Sequence, residues 1–506
     1  MESTTYKFEV NVEAFSDTLD IFSQFFKEPL FTREAIGREV MAVDAEDSKN
    51  RILDGRRVVQ VMKNLMISSH PFTKFSTGNV QTLADGDAEQ NAASVSHIMR
   101  CFHSYHYRPE NMVLSLVGPQ KLEELKELAI TMFSDIQPRT DRIIKETETF
   151  DKINKNAASS QFLDINALHA SNSAVYPFQN GNIIVKVKPV KDIRDVSIMW
   201  SLPPTRALYR SNPCRLISHI LSHKGSNSTF AALQDKGWAS STSAGTSIEY
   251  VDFAIYEMSV SLTASGFDNW DKVIEIIYAQ LRNIESMSDS DLLQLWNEIK
   301  TASAIDFRYR AKATAYELAP QLAANMLKYP PNHIISAGWL LDDLNIELFR
   351  DFVGRLVPNR AITLIRSRSF SWIPDDNELS HVGVPDDIRT INMKKEPWYG
   401  VPYHQEDTPE LYQCIWEDAR RGKACSDGLS ALSIPSLNPY ICYELKNAEL
   451  PPIPDPHQLR SSPPTLLSSH FTSPRLSNSV WHSRDEVFGQ PKSIFHFLLH
   501  SRGCGK

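Results

Sequence analysis

The stretch from Thr32 to about Ser69 reads as one long helical run, and the rest of the chain has to be packed around it. Inside it lies Arg38 to Asn50, REVMAVDAEDSKN. A helical residue turns about 100°, so Glu39 and Glu46, seven positions apart, point within roughly 20° of each other. Ala35, Ala42, Val43 and Leu53 fall on that side, whereas Asp44, Asp47, Lys49 and Arg51 fall elsewhere. The spacing therefore puts two carboxylates on the small, apolar side of a polar helix. A carboxylate taken out of water needs a compensating positive charge. A metal ion is one such partner. Pairing with Arg38, Arg51 or Lys49 at an amphipathic boundary is another, and spacing alone leaves both open.

Two histidine pairs at i and i+4 are the other patterns with metal-ligand spacing: His219 and His223 in HILSH, and His496 and His500 in HFLLH. The inverted zinc motif H-x-x-E-H needs an acid before its second histidine, and Ser222 and Leu499 stand there instead. No H-x-x-E-H occurs in the 506 residues. HFLLH also lies in the apolar run SIFHFLL, which reads equally as a strand. His219 and His223 are expected to be hydrogen-bonded core or domain-packing residues. No nucleophile elbow and no phosphate-cradling glycine loop stands out among the 19 glycines.

A chain of this length holds two to four domains. Its net charge of -8 does not suggest a nucleic-acid partner. Six scattered cysteines with no C-x-x-C pair fit reduced thiols in a cytosolic or organellar interior. No uninterrupted apolar segment of about 18 residues is present, which argues against a membrane span.

In order, Tyr6, Phe8, Val10 and Val12 alternate as a half-buried strand, and Phe15, Leu19, Phe22 and Phe26 form a helical stripe. After the Glu39/Glu46 helix, Met112 to Val117 reads as a strand, and Leu122 to Phe133 as a closing helix. From Arg139 to Gln179 the pattern dissolves into a polar linker or surface insertion. A second α+β unit starts near Asn182, with strands at IIVKVKPV, VSIMWSLPP, Phe253 to Leu262 and RAITLIRS. Its helices are expected at Asn212 to His223, Trp270 to Ile284, and Asp289 towards Lys328. The two units read as an internal structural duplication. Nine prolines between Pro435 and Pro474 exclude a single helix or central strand there.

REVMAVDAEDSKN followed by HPFTKFSTGN (His70 to Asn79) resembles the insulinase, or M16, family of zinc metallopeptidases, in its insulin-degrading-enzyme branch. NPCRLISHILSHKGSNSTFAALQDKGW, EPWYGVPY and LSNSVWHSRDEVFGQPKSIF extend the resemblance over nearly the whole chain. It implies an α+β fold of tandem M16-type domains, antiparallel-rich sheets packed with helices, the first domain incomplete. The implied division is 1–140, the distal part of the catalytic domain; 141–179, a linker; 180–395, a second M16 domain; 396–475, a connector, proline-rich from 435; and 476–506, the start of a third domain.

By the same resemblance Glu46 is a zinc ligand and Glu39 a supporting acid, with two histidines and a water-activating glutamate supplied by the missing H-x-x-E-H. KGWASSTSAGTS resembles the family's second-domain edge strand, so Ser243, Ala244 and Gly245 are the peptide-binding positions, with Ala244 where a glycine is expected. The function implied is a zinc metalloendopeptidase that degrades peptides in an enclosed chamber. The chain is expected to be inactive by itself, as a truncated piece lacking the H-x-x-E-H region and the C-terminal half. The alternative is a non-catalytic peptide-binding relative or partner subunit. Peptide substrates, and a second copy or complementing M16 chain, are the implied partners, with no nucleic acid and no membrane. The implied compartment is the cytoplasm, or else a mitochondrion or peroxisome.

Overall fold

A computed structural model describes residues 3–68, 70–138, 178, 181–370, 393–423 and 432–441, together with the strands 465–473 and 476–482. Residues up to 138 form a helical layer. Helix α1 (Phe15–Lys27) buries Leu19 and Phe26, and α2 (Arg33–Asn50) starts where the Thr32 hydroxyl accepts the Ala35 amide at 3.3 Å. The expected long helix breaks at residues 51–53 and resumes as α3 (Asp54–Asn64). The break lets α3 change direction and lay Val61, Met62 and Leu65 on the sheet described below. Asp54 fixes that docking by accepting the amides of Val190 and Lys191 at 2.7 and 3.0 Å. Helix α4 (Ala88–His106) packs on α2 through Ile36, Val40, Ala88 and Ala92, and α5 (Leu122–Phe133) closes the layer.

Neither Tyr6 to Val12 nor Met112 to Val117 forms a strand, contrary to the reading of their alternation. Alternation requires only one apolar face, whereas a strand also requires a neighbour to bond with. Here helix α1 packs against that face: Tyr6 meets Phe26 edge-on with centroids 5.4 Å apart, and Phe8 lies tilted on Phe22 at 4.8 Å. Among the described residues up to 138, helices are present and no strand is formed.

The second unit follows its sequence pattern closely. Strands β1 (Ile183–Val187) and β2 (Arg194–Leu202) precede α6 (Pro213–Leu221), which Asn212 caps and whose first residue is Pro213. Then come β3 (Ala239–Glu249), β4 (Ala254–Leu262), α7 (Trp270–Glu285) and α8 (Asp289–Tyr309). The expected helix from Asp289 stops at Tyr309, and α9 (Ala315–Met326) restarts with a capping box between Thr314 and Glu317. Helix α10 (Ile346–Arg355), β5 (Ala361–Ser367), β6 (Lys394–Lys395), β7 (Pro402–Asp407) and α11 (Glu410–Arg421) complete the unit.

The seven strands form one sheet in the order β3-β4-β2-β5-β1-β7-β6. The β1–β5 pair is parallel and every other pair antiparallel. Helices α6, α7, α8, α10 and α11 cover one face, with Trp200, Trp296 and Trp416 in the core between. On the other face α3 lies over Ile183, Val185, Ile362 and Leu364. Burial on both faces explains why β1, β2 and β5 read as continuous apolar runs.

Of the 139–179 stretch only Phe178 is described; it is 2% exposed and bridges to Met66. At the end of the proline-rich span β8 (Thr465–Ser473) pairs antiparallel with β9 (Leu476–His482), which follows Pro474, as a two-stranded sheet. His496 and His500 lie outside the described residues.

Candidate functional site

Glu39 and Glu46 both stand exposed on α2 and make no hydrogen bond or ion pair with a described residue. The expectation that they occupy the packed, apolar side of the helix is thus corrected. The packed side carries Ile36, Val40, Asp47 and Asn50. Asp47, which the spacing sets apart from the pair, is the buried acid: its Oδ2 accepts Arg51 Nε and Nη2 at 2.9 and 2.8 Å, with Asn79 Nδ2 at 3.5 Å. Asp44 Oδ1 accepts the Val80 amide at 2.9 Å. These two aspartates hold the helix to the loop after residue 76 and leave the glutamates facing outward.

Among the described residues no three His, Cys, Asp or Glu side chains converge to hold a metal ion. One exposed carboxylate at Glu46 supplies at most one of the ligands of a tetrahedral zinc site, so the described residues do not hold the ion by themselves, and no chemistry is routed through it here. The HILSH pair does not complete a site either. His219 Nε2 lies 3.9 Å from Glu298 Oε1, and His223 Nδ1 accepts the Gly225 amide at 3.1 Å. Burial lowers the His219 pKa; Glu298 raises it in part and His223 lowers it further.

Ser243, Ala244 and Gly245, the positions expected to bind peptide, lie in the middle of β3. Strand β3 is the end strand of the sheet order, and no described strand pairs with its outer side. Thr242, Ala244 and Thr246 stand opposite Val260, Met258 and Tyr256, on the helix-covered face, whereas Ser243 and Gly245 stand opposite Ser259 and Glu257. Ala244 packs against the core, so its methyl group is spent on burial and does not project from the strand's edge. At Gly245 an added Cβ would meet only Ser218 Oγ, at 3.9 Å. Register shifts at both ends of β3, between Ala239 and Ser241 and between Thr246 and Ile248, confine the regular edge to its middle.

Spacing gives no sign of what the loop His70–Asn79 does. It reaches the sheet through partners more than 180 residues away, and only the fold brings them together. The buried Lys63 is equally unmarked. Its Nζ donates to Lys74 O at 2.8 Å and bonds Ser76 Oγ, and burial, with Arg56 nearby, pushes its pKa down to about 8.

Three family profiles match the sequence: "Insulinase (Peptidase family M16)" over residues 1–69, "Peptidase M16 inactive domain" over 98–295, and "Middle or third domain of peptidase_M16" over 307–506. Among curated proteins, a "Nardilysin-like" protein of Arabidopsis thaliana is 26% identical over 100% of this chain and 44% of its own length. The insulin-degrading enzyme of Homo sapiens is 26% identical, over 99% of this chain and 43% of its own. The A-factor-processing enzyme of Saccharomyces cerevisiae is 28% identical, over 98% and 42%. The chain thus spans less than half the length of these relatives. Among solved structures, pitrilysin superposes with a TM-score of 0.67 at 21% identity, covering 87% of this chain and 41% of that one.

Proposed function

The chain belongs to the insulinase, or M16, family of peptidases, and on that premise we propose that it serves peptide hydrolysis by a zinc metalloendopeptidase of that family, which encloses its substrate in a chamber. Its own share is to hold the peptide. A strand of substrate adds to the outer side of β3 at Ser243, Ala244 and Gly245, where backbone groups give affinity and small side chains leave room. The observation that carries this reading is the place of β3 at the end of the sheet order. Glu46 offers one zinc ligand and Glu39 supports it. The histidines and the water-activating glutamate have to come from residues other than these 506, so the chain by itself binds peptide without hydrolysing it. The domain division at 1–140, 141–179, 180–395, 396–475 and 476–506 is part of the same proposal, except that β7 and α11 belong with the second domain and not with the connector, because β7 pairs with β1 and Trp416 of α11 lies in that domain's core.

The lack of H-x-x-E-H in these 506 residues supports a second reading, a non-catalytic peptide-binding relative or partner subunit. Mixing the chain with an M16 chain that carries H-x-x-E-H separates the two. Restored hydrolysis, lost again in Glu46→Gln, supports the first reading; peptide binding with no restoration supports the second. The edge itself is tested on the purified chain with a fluorescent peptide and a proline scan over 243–245. Proline at the position whose amide points outward removes a donor to the peptide and leaves the β3–β4 ladder intact, so affinity falls by about tenfold or more with the fold retained. Unchanged affinity throughout the scan sinks the edge assignment. No helix among the described residues is long and apolar enough to cross a membrane. For the compartment we propose the cytoplasm, with mitochondrion and peroxisome as alternatives; one relative is named as a peroxisomal protein of Arabidopsis thaliana.

A further inference from the structure

The loop His70–Asn79 grips both layers. At its far end it holds α2, through Asn79 on Asp47 and Val80 on Asp44, and Asn50 Nδ2 reaches Thr77 Oγ1 at 3.4 Å. In the middle, Phe75 stacks flat on Trp398, with centroids 4.4 Å apart, and Thr77 Oγ1 lies 3.2 Å from the Tyr399 hydroxyl. At its start it meets the turn between β3 and β4. Phe72 packs edge-on against Tyr250 and Phe253, at 4.9 and 5.6 Å, and His70 Nε2 lies 2.9 Å from Asp252 Oδ2. That turn is closed by the Tyr250 amide on Phe253 O at 2.8 Å, and β3 leads directly into it.

The chemistry of His70 suits a fixed joint. Its Nδ1 accepts the Phe72 amide at 3.1 Å, so the ring proton sits on Nε2 and is donated to Asp252. One ring thereby fixes its own loop and the neighbouring turn. The two side chains are 4% and 17% exposed, which spares the contact the screening that weakens surface pairs.

We propose that His70 and Asp252 are positioning residues that fix the β3 edge relative to the Glu39–Glu46 side of α2, so that a peptide on the edge is presented to the acids at one set distance. The functional half of this statement rests on the peptide-edge reading above; the geometric half does not. Removing the joint frees one of the loop's attachments to the sheet, and α2 then moves against β3.

The test is a distance distribution on the full chain. Spin labels are placed at Lys49→Cys on α2 and Ser240→Cys on β3, with the native cysteines replaced, and peptide affinity is measured on unlabelled protein. A narrow distribution is expected for the parent, broadened by about twofold or more in His70→Phe and Asp252→Ala. Asp252→Asn keeps an acceptor for the Nε2 proton and is expected to stay narrow, which a loss caused by general loosening does not reproduce. Peptide affinity stays within about twofold, because β3 and its ladder are untouched. Equal narrowness in folded His70→Phe and Asp252→Ala overturns the inference; if His70→Phe does not fold, Asp252→Ala in the turn decides alone. A parent chain that binds no peptide overturns the edge reading, while the distances still judge the joint.

Discussion

Alanine at Glu46 and alanine at Asp47, adjacent residues of the same charge on one helix, should have unequal effects. The Asp47 side chain is 2% exposed and takes two charge-assisted bonds from Arg51 on one oxygen. Such bonds contribute about 1.5–3 kcal/mol when their partners are buried. Arg51, however, is 47% exposed, and water replaces the carboxylate when it is removed, so its share falls towards the roughly 0.2–1 kcal/mol of a surface pair. Leaving the Asn79 amide without this acceptor adds about 1 kcal/mol. The sum for Asp47→Ala is a loss of about 1–2 kcal/mol, confined to α2 and the loop it holds. Glu46 has no described partner to lose and alanine is the better helix former, so Glu46→Ala should stay within about 0.5 kcal/mol. Native-state amide hydrogen exchange reads both, since it reports local opening without requiring the whole chain to unfold in one step. Protection across α2 and residues 79–84 should fall by roughly 5- to 30-fold in Asp47→Ala and remain unchanged in Glu46→Ala. Equal losses in the two variants would refute the reasoning, because they would mean that the Glu39–Glu46 side is the packed one.

Three further outcomes follow from the packing. Lys63 in the folded chain loses its proton near pH 8, below the usual lysine value, so the cost of burying its ammonium is fully present below pH 8. Stability should therefore rise as pH goes from about 8 towards 10.5, since the unfolded chain there holds the extra proton; Lys63→Met should flatten that rise in a pH series of thermal midpoints. Arg420 is 5% exposed and ties Val353 O, Leu356 O and Glu285 together where α7, α10 and α11 end. Arg420→Met strands two carbonyls while Glu285, 39% exposed, can rehydrate, so a loss of about 2–4 kcal/mol is expected in thermal unfolding; a midpoint equal to the parent's would contradict it. At Gly266 an added Cβ would come 1.9 Å from Trp238 O, just before β3, whereas at Gly245 it meets nothing closer than 3.9 Å. Gly266→Ala should cost about 1–3 kcal/mol or more and weaken peptide binding, and Gly245→Ala should change stability by less than about 0.5 kcal/mol; the reverse order in melting and binding assays would sink the comparison.

Where neighbours along the chain suffice, the sequence is a good guide. Asn212 and Pro213 announce the start of α6, Trp270 to Ile284 carries the stripe of α7, and the apolar runs of β1, β2 and β5 mark strands buried on both faces. REVMAVDAEDSKN and HPFTKFSTGN are enough to point to the family, because a motif is a local string. The candidate site was legible only in part: Ser243 to Gly245 on an edge strand could be anticipated, but the environment of Glu46 could not.

Tertiary structure decided which side of α2 is buried, and it chose Asp47, because burial depends on what packs against a helix and not on its own periodicity. It broke the run from Thr32 at residues 51–53, so that α3 could lie on a sheet whose strands begin more than a hundred residues later. It left Tyr6 to Val12 unpaired, since alternation cannot supply a partner strand. It also brought His70 to Asp252 and Thr77 to Tyr399 across 182 and 322 residues. The chain pays for such contacts with the entropy of closing long loops, and their energy belongs to pairs of distant residues, so no window of neighbouring residues contains them.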